Sequence, residues 1–351
     1  MEYVVKPLNL KQCSATIAIA GLLLGGCSNA GSSQFAAPAS FRGWKSEPDH
    51  AYNNYAYVSC ADCRCLYGCD TGCGSSSKKI FGDEWVLVSK DCGAGKAAML
   101  YAVAFLKGNN DSKTSYAGFS NGTVAVAEWK KGRYTKAGTL TGLTGNPTGI
   151  ASDFRGNLWV TNSPSATISE FYPGARSPSQ TYTDSNLLSL SYIAVDRRND
   201  IYVEGQSKAS GGIEVDEFEA GDTFKSLGPS GQMGYTPGGL AVIVNTGKTG
   251  YLFVNDQGTA NGPPGITEWL LKGEKLTKEG TFRYSGIDTA LSVDPSGKDT
   301  THVWAANNVP SSSEFVTSGV EYAFPSGKVV ASTPTTTSSS EAFGIAITET
   351  P

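Results

Sequence analysis

The chain has 351 residues and a formal net charge of −4, with 28 Lys and Arg against 32 Asp and Glu. That balance excludes a nucleic-acid binder, because holding phosphates takes a basic surface. The 42 Gly and 16 Pro, beside 14 Phe, 16 Tyr and 6 Trp, describe a turn-rich, aromatic chain and exclude coiled coils and helical bundles, while a hydrophobic content of 39% is enough to build a core.

The first residues read as an address. Lys6 and Lys11 precede CSATIAIAGLLLGG at 13–26. This run is too short to cross ~30 Å of hydrocarbon as a helix, but it suits the apolar core of a signal peptide. It ends in Leu24-Gly25-Gly26-Cys27, which resembles the lipobox of bacterial lipoproteins. The resemblance implies a signal peptide over 1–26 and a lipidated Cys27 at the mature N-terminus. Residues 27–50 then form the lipidated Cys and a flexible tether, because SNAGSSQFAAPAS after Cys27 is small, polar and unpatterned. Each buried CH₂ of an acyl chain adds ~0.8 kcal/mol, so a multiply acylated Cys holds to a membrane without a spanning helix. The expected location is the cell envelope, on the extracytoplasmic side. Ser28, where an Asp would retain a lipoprotein at the inner membrane, favours the outer membrane in a host that has one.

The remaining chain, 51–351, repeats itself. A Glu followed by an aromatic occurs as Glu84-Trp85, Glu128-Trp129, Glu170-Phe171, Glu217-Phe218, Glu268-Trp269 and Glu321-Tyr322, at intervals of 42 to 53 residues. Four-stranded propeller blades take about 40–50 residues. First strands are expected at GIASD (149–153), YIAVD (192–196), GLAVI (239–243) and ALSVD (290–294), each followed by a turn rich in Gly or Asn, with an Asp in three of the four. Second strands follow at NLWVTN (157–162), DIYVEG (200–205), YLFVND (251–256) and HVWAAN (302–307). Third strands carry the Glu-aromatic pair on opposite faces. Weaker fourth strands are SQTYTD, FKSLG, LTKEGTF and KVVAST.

The run NPTGIASDFRGNLWVTN (146–162) resembles the P-x-G-(I/L)-A-x-D-x-x-G-N-(L/I/V)-x-V pattern of NHL-type six-bladed β-propellers, and TPGGLAV (236–242) and LSVDPSG (291–297) match it in part. The resemblance implies an all-β, six-bladed propeller of the TolB-like kind and says little of activity, because such propellers host unrelated functions. Ring closure fits the chain ends. FGIAITETP (343–351) is a first strand with no blade after it, while Tyr55–Ser59 and KIFGDEW (79–85) read as second and third strands with no first. Closing them into one blade removes open sheet edges. Five or seven blades are the alternatives, because the register of 86–120 is open.

Long insertions fall on one face, between second and third strands. They are Val58 to Trp85, DQGTANGPPG (256–265) and NVPSSSEFVTS (308–318), with STPTTTSSSE (332–341) on the same side. Loops on a rigid scaffold are where recognition sits. The first insertion, 60–92, holds Cys60, Cys63, Cys65, Cys69, Cys73 and Cys92. An even number of cysteines in an exported protein implies disulfides, and six of them allow 15 connectivities. A metal site is the lesser reading, because there is no second C-x2-C pair and no nearby His.

Catalytic signals are sparse. His50 and His302 are the two histidines, one in the N-terminal extension and one opening a second strand, away from the insertions. Asp153, Asp196 and Asp294 have the context of turn residues, and the marker glutamates read as polar positions at blade edges. CGAGKA (92–97) lacks the spacing of a phosphate-binding loop, and GSSS (74–77) is not a nucleophile elbow. No catalytic residue, metal ligand or cofactor is assigned. The expectation is a lipid-anchored, non-catalytic binding or scaffolding module. Its partners would be the membrane, through the anchor, and a protein or glycan on the loop-rich face. The alternative is a propeller enzyme resembling streptogramin lyases or gluconolactonase-type metal hydrolases.

Overall fold

A computed structural model describes residues 54–59, 66–70, 100–105, 114–119, 122–130, 133–218, 223–229, 237–244, 249–257, 264–284, 286–293, 302–310, 315–332, 336–338 and 344–349. All lie within the unit Trp44–Pro351, and among them every regular element is a strand. Two strands come first, β1 (Asn54–Ser59) and β2 (Leu66–Asp70). Blade 1 is β3 (Leu100–Phe105), β4 (Thr114–Phe119), β5 (Val124–Lys130) and β6 (Arg133–Leu140). Blade 2 is β7 (Asn146–Ser152), β8 (Leu158–Ser163), β9 (Thr167–Phe171) and β10 (Gln180–Thr183). Blade 3 is β11 (Leu187–Val195), β12 (Ile201–Ser207), β13 (Ile213–Phe218) and β14 (Phe224–Pro229). Blade 4 is β15 (Pro237–Val244), β16 (Thr249–Asp256), β17 (Gly265–Lys272) and β18 (Lys275–Arg283). Blade 5 is β19 (Ile287–Ser292), β20 (His302–Pro310), β21 (Phe315–Ala323) and β22 (Lys328–Ser332), to which β23 (Thr336–Ser338) adds along β21. The last strand is β24 (Ile345–Glu349).

Each blade is an antiparallel meander whose strands lie side by side in chain order. The chain is therefore a β-propeller with five complete blades, the lower of the counts the sequence allowed. The first strands β3, β7, β11, β15 and β19 touch in succession, and β24 touches both β19 and β3. β24 also pairs antiparallel with β1, from Asn54↔Glu349 to Val58↔Ile345, and β1 pairs with β2. The chain ends thus meet in a three-stranded sheet, β2-β1-β24.

One expectation for that sheet is corrected. The strand beside β1 is Leu66–Asp70, inside the cysteine-rich stretch, and not the segment 79–85, which lies outside the described residues. The reason is loop closure. A connection of six residues, 60–65, closes a hairpin at less entropic cost than one running to residue 79.

Burial follows from the architecture. Each sheet has a neighbour on both faces, so second strands read as nearly continuous apolar runs; β8 and β12 are buried from Leu158 to Asn162 and from Ile201 to Gly205. At the junction of blades 3 and 4, Tyr202, Ile213 and Val215 pack on Leu240, Leu252 and Val254. Between blades 4 and 5, Phe253, Ile266 and Phe282 meet Leu291, Val303 and Ala305. A fully buried side chain of this kind contributes about 1.5–3 kcal/mol. At the last junction, Ile345 of β24 joins Ala290, Trp304 and Ala306 of blade 5.

The Glu-aromatic markers lie on the third strands of all five blades. The aromatic faces the preceding blade: Phe171 packs with Val124 and Val126, and Phe218 with Trp159. The glutamates depart from expectation. Glu170, Glu217 and Glu321 are buried, not set at a polar edge. Tyr182 Oη donates to Glu170 Oε2 at 3.2 Å, and Tyr202 Oη to Glu217 Oε1 at 3.3 Å. Phenol donors let the carboxyls lie under the next blade.

Candidate functional site

The ends of the second strands build one rim of the propeller. In blades 2 to 5 three apolar residues are followed by Thr161-Asn162, Glu204-Gly205, Asn255-Asp256 and Ala306-Asn307. Facing them, each first strand carries a β-bulge at the same place, with register breaks at Leu100/Ala102, Pro147/Gly149, Leu190/Tyr192, Pro237/Gly239 and Thr289/Leu291. A bulge leaves backbone groups without ladder partners, and the rim side chains satisfy them. Thr161 Oγ1 donates to the Gly149 carbonyl at 3.3 Å. Asn255 Nδ2 donates to the Gly238 carbonyl at 3.4 Å and, across the junction to blade 5, to the Asp288 carbonyl at 2.6 Å. Thr148 Oγ1 crosses from blade 2 to the Leu190 carbonyl of blade 3 at 3.1 Å. Among the described residues these side chains latch blade 2 to blade 3 and blade 4 to blade 5.

Three carboxyls belong to it. Asp288 is fully buried and accepts from Asn307 Nδ2 at 2.5 Å; burial pushes it up to about 7, with the hydrogen bonds from Asn307 and Tyr322 opposing. Asp256 is raised by burial to about 6, with Arg283 and Lys278 opposing. Glu204 is raised well above the carboxylate range by burial and then by the neighbouring Asp256, against the weaker pull of the Gly238 and Gly239 amides. Tyr284 completes the cluster, donating to Asn255 Oδ1 at 2.5 Å. The rim thus buries carboxyls, amides and phenols together at the blade junctions. Among the described residues no group of three or more His, Cys, Asp and Glu is placed to hold a metal ion.

The sequence-derived candidates are scattered. Cys69 lies on β2, opposite Ala56. Cys60, Cys63 and Cys65 fall in the connection from β1 to β2, Cys73 and Cys92 between β2 and β3, and these five lie outside the described residues, as do Cys27, His50 and Asp294. His302 opens β20 at the end opposite the rim, paired with Ala323. Asp153 and Asp196 are turn residues. Asp153 Oδ1 accepts the N–H groups of Arg155 and Asn157 at 2.9 and 2.8 Å, and Asp196 Oδ1 those of Arg198 and Asp200 at 2.8 and 2.9 Å. Gly156 and Asn199 supply the positive φ that these turns need.

The insertion at 308–318 is also revised. Most of it is strand: β20 and β21 pair out to Pro310↔Phe315, and β23 joins the outer end of β21 from Thr317↔Thr336 to Phe315↔Ser338. With nine residues in each strand, against six and five in β8 and β9, this hairpin extends blade 5 beyond the rim. Residue-by-residue reading missed Glu204, Asp256 and Asp288. For Glu204 and Asp256 the signal present was a polar residue after the apolar run of the second strand, which only the repeat alignment makes visible; Asp288, on the first strand β19, carried no such signal.

No protein-family model matches the chain, and no curated protein matches it.

Proposed function

We propose that this propeller is a non-catalytic binding module, tethered by a lipidated Cys27 to the outer face of a membrane, and that it takes a protein or glycan ligand at the rim with the extended blade 5 hairpin. Six-fold closure is part of the reading, with the sheet β2-β1-β24 as the sixth blade. The observation that carries the binding face is the β20–β21 hairpin with β23, which among the described residues runs furthest past the polar latches. Extending a rigid sheet beyond the core offers a partner pre-ordered backbone and Ser- and Thr-rich side chains with little loss of entropy. The sequence Leu24-Gly25-Gly26-Cys27 supports the anchor.

The binding test shortens the hairpin, replacing 309–316 with the SPSA turn of blade 2, and compares both proteins on arrays of envelope glycans and by crosslinking in cells. Loss of a ligand with an unchanged melting temperature supports the reading; equal binding by both proteins removes the hairpin from it. Turnover of a lactone or a macrocyclic ester by the purified protein would instead establish the enzyme alternative. For the anchor, Cys27→Ser is expected to release the protein from membranes or to block its maturation. Fractionation that finds the variant still membrane-bound overturns it.

A further inference from the structure

The crossover from blade 2 to blade 3 carries two acids that the rim does not use. Asp184 follows β10, Asp216 lies on β13, and both side chains are wholly buried. Asn186 holds the two together. Its backbone N–H donates to Asp184 Oδ1 at 2.7 Å, and its side-chain amide donates to Asp216 Oδ2 at 2.7 Å. The Leu187 N–H adds a second bond to Asp184 Oδ1 at 3.2 Å. The other oxygens, Asp184 Oδ2 and Asp216 Oδ1, are buried and meet no donor, while Asn186 bridges the two side chains. Two ionised carboxyls bridged by one Asn, each with a buried oxygen that no donor meets, would be costly, and a single proton held by the pair removes one of the two charges.

We propose that Asp184 and Asp216 share one proton and form a pH-sensitive latch, which holds the blade 2 to blade 3 crossover against blade 3 and opens when that proton is lost. The balance is simple: the shared proton passes to solvent and the pair goes from one negative charge to two. Two other charged groups face it. Glu214, on the same side of β13, adds a like charge and is bonded by Ser226. Lys208, in the β12–β13 hairpin, is the facing cation; its Nζ donates to the Ser185 carbonyl at 2.9 Å, and its backbone N–H to the Asn186 carbonyl at 2.9 Å. One ammonium offsets one carboxylate charge, so the second must stay protonated or repel. Burial is the main cause that raises both carboxyls, in line with this geometry. The responding element is short: Ser185 to Leu188 sits at the rim, with Leu188 half exposed. Opening it would uncover the start of β11 without breaking a blade.

Hydrogen exchange of the full chain, corrected for intrinsic rates, tests this. Protection of amides 184–188 is expected to fall ~10-fold or more from pH 6 to pH 8.5, while β8 changes little. Asp216→Asn, which keeps a neutral carboxamide in place of the acid, should abolish that pH dependence. Unchanged protection in the native protein, or the same fall in the variant, overturns the proposal. Carboxyl carbon NMR of the unmodified protein gives an answer that needs no variant. A shared proton keeps one of the two aspartates from titrating below pH 6; two independent titrations in the ordinary aspartate range defeat it.

Discussion

Gly205 has no room for a side chain. A Cβ there would sit 2.0 Å from the Ser189 carbonyl oxygen, a backbone atom that cannot swing aside. Gly205→Ala is therefore expected to destabilise the propeller by roughly 2–4 kcal/mol through overpacking at the blade 3 rim. Gly280→Ala is the control, because nothing lies within 4 Å of its Cβ position; chemical denaturation should separate the two clearly. The same closeness explains the rim. First and second strands approach so tightly at the bulges that only Gly fits at some positions, and the side chains at others must carry the hydrogen bonds the bulge breaks. The polar residues Thr161, Glu204 and Asn255 at equivalent places follow from that geometry. Their identity differs because each faces different backbone groups on the next blade.

At the level of elements, β24 has the largest leverage for its size. It closes the chain-end sheet on β1, lies between β19 and β3, and buries Ile345 against Trp304. Deleting residues 342–351 is expected to cost several kcal/mol, set against a typical total of ~5–15, since it exposes the β1 edge and the facing blades together. Thermal melting should show a large drop or aggregation. A truncated protein that melts within a degree or two of the intact one would mean that closure contributes little. The β24–β1 register runs without a bulge from Asn54↔Glu349 to Val58↔Ile345, unlike the first pair of every complete blade. The closing sheet is thus built differently from the rest of the ring, consistent with strands drawn from opposite ends of the chain.

Taken whole, the molecule hides carboxyls, and this sets its response to pH. Burial raises Asp256 and Asp288 to about 6 and about 7, and holds Glu204 well above its ordinary value. Unfolded, all three would titrate near 4. Between about pH 4 and pH 7 the native state therefore binds more protons than the unfolded one, and stability falls as pH rises through that window. At about 1.4 kcal/mol per tenfold change in proton affinity, Asp288 alone accounts for a few kcal/mol. Melting temperature should decline from pH 5 to pH 8. Asp288→Asn, which keeps an acceptor for Asn307, should flatten the decline; an unchanged slope in that variant would assign the effect to other groups.

The sequence alone determined the all-β class, a blade-length repeat and the strand order inside blades 2 to 5; it marked six repeats, and the structure has five complete blades. Those are local properties: short apolar runs, Asp-containing turns and a Glu-aromatic mark once per repeat are each written within a few tens of residues. The Asp153 and Asp196 turns were legible for the same reason, since the amides that their Oδ1 atoms accept lie within four residues. Tertiary structure decided what depends on contact between repeats. The marker glutamates looked like edge residues because their covering phenols, Tyr182 and Tyr202, sit on neighbouring strands of the same blade, 12 and 15 residues away in the chain. The partner of β1 was misplaced because strand pairing is chosen by loop closure and side-chain fit, which a list of apolar runs does not contain. The rim, with Glu204, Asp256 and Asp288, and the Asp184–Asp216 pair exist only where one blade meets the next, and no single repeat carries more than half of any of them.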